Sequence, residues 1–168
     1  TKHTRFVLTD AFFEPDKTGG VGGVLCNPRG QVEAWFQFKM GQKDVQPFMS
    51  QHQENAIAEL ETLAVVLAMK LWAPKLCSQH VVFCLDNDVA RFGLIKGYSN
   101  AAGVTKLVRL ASMMCEECMM LPWFLRVASP SNIADFPSRL QRHFLLNDHE
   151  MVAPAEVFDA FHHALQFG

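Results

Sequence analysis

Neither sign of charge dominates this sequence. Over 168 residues, Lys plus Arg number 15 and Asp plus Glu 17, for a formal net charge of −2. That balance argues against a general electrostatic binder of the histone-like or basic-arm kind. Long apolar runs are missing too: the longest, Leu63 to Met69, falls far short of a membrane span, and Glu59, Glu61 and Lys70 flank it. No membrane partner is expected. Cysteine is sparse and odd in number, at five. A chain this long needs no disulfide framework, so a reducing, intracellular setting is expected. No signal peptide opens the sequence, and Thr1 is not an initiator methionine, which fits a processed chain or a piece of something longer. No repeat, linker or low-complexity stretch divides it.

What the sequence does have is a core. Hydrophobic residues make up 49% and charged residues 19%, the composition of a packed unit and not of a disordered one. The length suits a single domain over 1–168. Residues 5–13, RFVLTDAFF, read as a buried strand with one acid in its middle. Gly19, Gly20, Gly22 and Gly23 bracket a second strand, and the turn Asn27-Pro28-Arg29-Gly30 leads to a third, with Val32, Ala34, Phe36 and Phe38 alternating. These three form an antiparallel meander. Residues 42–53 are polar and loop-like.

A helix over about residues 54–73 follows, with Ile57, Leu60, Ala64, Leu67 and Leu71 on one stripe and Pro74 as its stop. HVVFCL, His80 to Leu85, is a fourth strand. Asn87 or Asp88 can cap the helix that reaches Lys96, Gly97 closes it, and Ala101 to Met120 is another helix. Trp123 to Ala128 is the fifth strand. Residues 143–168 form a helical extension, with an amphipathic helix from Pro154 that turns Val157, Phe158, Phe161 and Leu165 inward. The order β-β-β-α-β-α-α-β-α implies an α/β sandwich on a mixed sheet.

Four acids fall where one fold can bring them together. Asp10 lies inside an apolar strand. Asp86 ends the fourth strand, and strand ends are where open α/β sheets place ligands. Asp135 follows the fifth strand, and Glu59 and Glu61 lie on the helix between the third and fourth strands. Singly, each has an ordinary explanation: an edge acid, an N-cap for Asp86 or Asp135, a solvated helix residue. Together they would repel one another unless cations neutralised them. Hard oxygen ligands of this kind suit Mg²⁺ or Mn²⁺, and two such ions about 4 Å apart stabilise the attacking and leaving oxygens of a phosphodiester. The two glutamates are about 200° apart around a helix, so both cannot face one site. Each flanks the apolar stripe, and periodicity does not choose between them.

The sequence resembles the ribonuclease H domain attached to the reverse transcriptases of retroelements. The carrying segments are Thr9-Asp10-Ala11 with the glycine-rich strand, AELETLAVVLAMKLW, LDNDVARFGLIKG and LPWFLRVASPSNIADFPSR. In the last, Asn132-x-Ala134-Asp135-x-x-Ser138-Arg139 is similar to the terminal motif of many such domains, and the likeness spans roughly residues 5–142. It implies a ribonuclease-H-like fold, with a five-stranded mixed sheet of three antiparallel then two parallel strands and helices on both faces. It implies hydrolysis of the RNA strand of RNA–DNA hybrids with two Mg²⁺ or Mn²⁺, leaving a 3′-hydroxyl and a 5′-phosphate, as part of reverse transcription in a larger polyprotein with a covalently linked polymerase.

By that resemblance Asp10 bridges both ions, Asp135 holds the ion beside the attacking water, and Asp86 and the helix glutamate hold the other. The family pattern has small residues three and seven positions after that glutamate. Ala64 and Ala68 satisfy it for Glu61, whereas Glu59 has Thr62 and Val66, so Glu61 is chosen with Glu59 in reserve. Asn87, Asn132 and Arg139 are expected substrate contacts, although caps or turns explain the two asparagines equally well. Selectivity in such a site comes from 2′-hydroxyls and helix shape.

The sequence also departs from the family. The loop before Asp135, Ser129-Pro130-Ser131-Asn132, has no histidine where many relatives carry one, leaving Arg126 or Arg139 as substitutes. No strongly basic helix follows Asp86, so weak binding by the domain alone is expected. Cys115 and Cys118 are three apart on one helix face and read as core, since zinc would need two further ligands at matching spacing. His162-His163 reads as a partly exposed helix face ahead of a metal site, and Trp35, Trp72 and Trp123 as core, with a stacking surface for nucleic acid the minority reading for Trp123.

Two other readings remain. One is an inactive ribonuclease-H-like scaffold or tether in a larger polyprotein, which need not keep four converging acids. The other is a different nuclease or transferase on the same fold; Phe12 stands where proofreading exonucleases have Glu, and the pattern ends in Asp135 where transposases and integrases have Glu. With four of the 17 acids assigned to cations, near-neutral charge no longer excludes a nucleic-acid substrate, because bound divalent ions reverse the local field.

Overall fold

A computed structural model of the chain describes residues 3–139, 141, 150–151, 155–156 and 158–159. Strands β1 (Thr4–Phe13), β2 (Gly19–Cys26) and β3 (Val32–Met40) form the expected antiparallel meander. Helix α1 (Gln42–Val45) and a 3₁₀ turn (Gln46–Phe48) replace the expected polar loop, because Val45 and Phe48 drop into the core. Helices α2 (Ile57–Leu71) and α3 (Ala73–Leu76) lead to β4 (His80–Leu85), and Pro74 sits in the first turn of α3 after ending α2. Helices α4 (Asp88–Lys96) and α5 (Ala102–Cys118) precede β5 (Leu121–Arg126), and α6 (Asp135–Ser138) follows a 3₁₀ turn at Ser129–Ser131.

The sheet runs β5-β4-β1-β2-β3-β6, with β4 parallel to β1 and β5 parallel to β4. The five expected strands are all present. A sixth, β6 (Glu150–Met151), pairs parallel with β3 inside the segment expected to be helical. Of the amphipathic helix beyond Pro154, Phe158 is buried against Phe38 and Phe48; Val157, Phe161, Leu165 and His162-His163 lie outside the described residues.

Alternation along β1 sends Val7 and Ala11 to the face packed by α2 and α5, and Phe6 and Leu8 to the face with Ala134, just before α6. Helices therefore cover both faces, and β2, between two covered faces, is buried throughout. Helix α2 is central. Every residue from Glu59 to Met69 is buried, so the stripe expected from periodicity understates a helix enclosed on all sides. A bulge at Leu25 and Cys26 shifts the register so that Val32 packs on the α6 face, apart from Ala34 and Phe36.

Two further expectations change. Strand β5 starts and ends two residues earlier than expected and forms the sheet edge. Phe124 stacks on Phe83 inside, while Leu121, Trp123 and Leu125 face outward, so Trp123 is 65% exposed and is not core. Trp35 and Trp72 are buried as expected. Cys118 is bonded to Cys77 in a disulfide that ties the end of α5 to the end of α3, leaving Cys26, Cys84 and Cys115 free. Cys115 packs against the core. Among the described residues no helix is long and apolar enough to cross a membrane.

The glycines of β2 have a steric purpose. A Cβ on Gly22 would meet the Ser138 amide and lie 2.8 Å from the Pro137 carbonyl carbon, and one on Gly20 would strike the Ser138 carbonyl oxygen. Bare backbone on β2 is thus what lets α6, and Asp135 with it, lie against the sheet. Gly22→Ala is expected to destabilise the protein by roughly 1–3 kcal/mol through overpacking, read as a lower urea midpoint. An unchanged midpoint would show that α6 does not need this close approach.

Candidate active site

Asp10 projects from the middle of the sheet. It pairs across the ladder with Gly22, so no side chain on β2 crowds it. It is 4% exposed, and one of its oxygens accepts the Ala11 amide at 2.9 Å. Glu61, on α2, is 2% exposed and its Oε1 accepts the same amide at 3.3 Å. Asp86 stands one residue beyond β4, half-buried. One carboxylate oxygen from each of Asp10, Glu61 and Asp86 lies within 4.8 Å of the others.

Asp135, at the start of α6, lines the same cavity of about 510 Å³ and adjoins Asp10. It stands outside the three-carboxylate group, and its Oδ1 accepts Arg139 Nε at 2.9 Å. Glu59 is elsewhere. It is buried between Gln53, whose Nε2 donates to it at 2.8 Å, and Gly103 of α5. Of the two helix glutamates, Glu61 is the one beside Asp10.

The other expected site residues are placed as follows. Asn87 lines the cavity, but its Oδ1 caps α4 by accepting the Ala90 amide at 2.9 Å. Asn132 does not offer a free amide to a substrate. It is 2% exposed, its Nδ2 donates to the Thr9 carbonyl at 2.8 Å and its Oδ1 accepts the Ala134 amide at 3.1 Å. It pins the turn before α6 to β1. Arg139 lines the cavity, half-exposed, with its guanidinium 5.9 Å from the centre of the Phe12 ring. Arg126 is turned to Asp88, at 3.7 Å, and is not among the residues lining the cavity. Ser129, passed over in the motif reading except as part of a loop without histidine, donates its hydroxyl to Asp86 Oδ2 at 2.6 Å. A serine in a turn carries no distinguishing sequence signal.

Electrostatically the cluster is incomplete. Burial raises the Asp10 carboxyl from 3.8 to about 7, reinforced by the charge of Asp86. Burial, and then the charge of Asp10, raises Glu61 well above the usual range. The two share a hydrogen bond, so without a cation the pair retains a proton near neutrality. Glu61 Oε2 is buried and has no hydrogen-bond partner. Buried polar atoms are almost always satisfied, and an orphaned oxygen on a carboxylate grouped with two others suits a hard divalent cation. The donor set fits one.

No family model and no curated protein matches this sequence. Among solved structures the chain is similar to a ribonuclease H1 from the halophilic archaeon Halobacterium salinarum, with a TM-score of 0.65 at 15% identity over 81% of this chain and 95% of that one. The fold is that of ribonuclease H. A ribonuclease H1 from compost, solved in complex with an RNA/DNA hybrid, gives a TM-score of 0.66 at 13% identity over 82% and 95%. A foamy viral protease-reverse transcriptase in complex with an RNA/DNA hybrid gives 0.56 at 12% identity, over 82% of this chain and 19% of that longer one. In this ribonuclease H fold, the acids on β1, α2 and after β4 meet at one end of the parallel pair.

Linkage gives the cluster a measurable sign. Between 3.8 and about 7 the folded Asp10 binds more protons than the unfolded one, so its contribution to stability falls as pH rises through that window. In chelator, Asp10→Asn is expected to melt near the wild type at pH 4 and progressively above it as pH rises to about 7, with the gap level beyond that. A gap independent of pH would contradict the raised carboxyl.

Proposed function

We propose that the chain is a metal-dependent endonuclease that hydrolyses the RNA strand of RNA–DNA hybrids. The observation that carries this is the mutually repelling group of buried Asp10 and Glu61 with half-buried Asp86, and its orphaned Glu61 oxygen, in a ribonuclease H fold. Asp10, Glu61 and Asp86 would hold two Mg²⁺ or Mn²⁺, joined by Asp135 from the rim. Such ions supply Lewis-acid stabilisation of the attacking and leaving oxygens of a phosphodiester. Water adds across the P–O3′ bond, its hydroxyl going to phosphorus and a proton to the departing 3′ oxygen, so the products end in 3′-hydroxyl and 5′-phosphate.

The chain's own residues prepare that step. Asn132 and the glycines of β2 set α6 and Asp135 against the sheet. Arg139, half-exposed on the rim, can meet a backbone phosphate while partnering Asp135. RNA is distinguished from DNA by the 2′-hydroxyl. The sequence motifs and the likeness to a protease-reverse transcriptase support a place in reverse transcription, with a covalently linked polymerase domain supplying affinity that a chain of net charge −2 lacks.

End-labelled RNA–DNA hybrid, incubated with Mg²⁺ or Mn²⁺ and resolved on a denaturing gel, tests the proposal. The wild type is expected to cut the RNA strand. Asp10→Asn and Glu61→Gln are expected to abolish cleavage, whereas Glu59→Gln, which preserves the contact with Gln53, retains most of it. Equal cleavage by wild type and Asp10→Asn would overturn the proposal, and no cleavage by either when both are folded would overturn it in favour of a scaffold.

A further inference from the structure

Ser129 is the polar side chain at the acidic cluster to which the motif pattern gives no role. Its Oγ donates to Asp86 Oδ2 at 2.6 Å, from an exposed turn between β5 and α6. That turn is restrained at several points. Pro130 fixes its own φ. The Ser131 amide donates to the Ala128 carbonyl at 2.8 Å and the Asn132 amide to the Ser129 carbonyl at 3.1 Å. Asn132 then anchors the turn to Thr9, next to Asp10. Three residues later α6 begins with Asp135. One short turn thus contacts Asp86, adjoins Asp10 and presents Asp135.

Asp86 is the member of the cluster that most needs an external restraint. Asp10 and Glu61 are enclosed and both accept the Ala11 amide. Asp86 is half-buried beyond the end of its strand, and among the described residues the side-chain hydrogen bond it receives is the one from Ser129. An unrestrained aspartate exchanges among staggered rotamers. A carboxylate has about four lone-pair sites, so one accepted hydrogen bond fixes its orientation and still leaves capacity for a cation.

We infer that Ser129 is a positioning residue, whose hydroxyl holds the Asp86 carboxylate in the orientation that completes a cation site with Asp10 and Glu61. The inference rests on the metal-dependent reading above and concerns the chain's readiness for the ion, before any substrate arrives. Ser129 acts through Asp86 and need not touch the nucleic acid.

Mn²⁺ uptake by the whole chain, followed by the electron paramagnetic resonance signal of the free ion, tests this without turnover. Wild type, Ser129→Ala, Ser129→Thr and Asp10→Asn are compared, with melting in chelator as a check of folding; Ser129 is exposed, so losing its hydroxyl opens no core. Removing a hydrogen-bond partner of a metal ligand typically costs about 10–100-fold in affinity. Ser129→Ala is expected to bind Mn²⁺ about 10-fold more weakly, Ser129→Thr to keep near wild-type affinity, and Asp10→Asn to lose saturable binding. Wild-type affinity in Ser129→Ala, with Asp10→Asn defective, overturns the positioning role and leaves the cation site standing. A defect in Ser129→Thr as large as in Ser129→Ala also overturns it, because the hydroxyl is then not the operative group. No saturable uptake by the wild type, or uptake unaffected by Asp10→Asn, overturns the cation site and this inference with it.

Discussion

Two carboxylates buried against each other, Asp10 and Glu61, are the constraint around which this molecule is arranged. Each is almost wholly removed from water, where a charge is costly and a second like charge costlier still. Only a proton or a cation between them relieves that arrangement. The chain nevertheless maintains it, carrying Asp10 on β1, inside the sheet between β4 and β2, and Glu61 on α2, which is buried on every side from Glu59 to Met69. Groups held in an unfavourable electrostatic arrangement by a rigid scaffold are what a functional site requires.

The rest of the fold supplies the remaining partners from a distance in sequence. Parallel pairing of β4 with β1 brings Asp86 to the same end of the sheet as Asp10. Bare backbone at Gly20 and Gly22 admits α6, and the Asn132 amide, buried and bonded at both ends, fixes the approach of that helix to β1. Asp135 reaches the rim by this route, where Arg139 holds it beside the cluster. Packing and electrostatics are therefore coupled: the steric bareness of one strand determines where the fourth acid stands.

Much of this could be read from residue types and spacing. The meander, the central helix, the caps at Asn87 and Gly97 and the four acids all have local signatures, such as alternation, apolar periodicity, capping chemistry and glycine at positive φ. The choice of Glu61 over Glu59 needed the resemblance, because both glutamates are buried in a helix without an exposed side and periodicity has nothing to distinguish them. Tertiary features left no such mark. Trp123 looks like core in a strand, and only its place at the sheet edge exposes it. The bulge that moves Val32 to the other face, the disulfide between Cys77 and Cys118 and the hydroxyl of Ser129 on Asp86 all depend on neighbours 6 to 43 positions away or more finely on register. Asn132 was expected to contact substrate, but its side chain is bonded to backbone at both ends.

The central claim is that Asp10, Glu61 and Asp86 are gathered to hold a divalent cation. Anomalous scattering from crystals of the whole chain grown with Mn²⁺ measures this most directly. The account expects a manganese peak within bonding distance, about 2.0–2.6 Å for hard cations on oxygen, of carboxylate oxygens from Asp10 and Glu61, with Asp86 turned toward it. A saturated crystal with no manganese at the three carboxylates, or with the ion held only elsewhere on the surface, would contradict it.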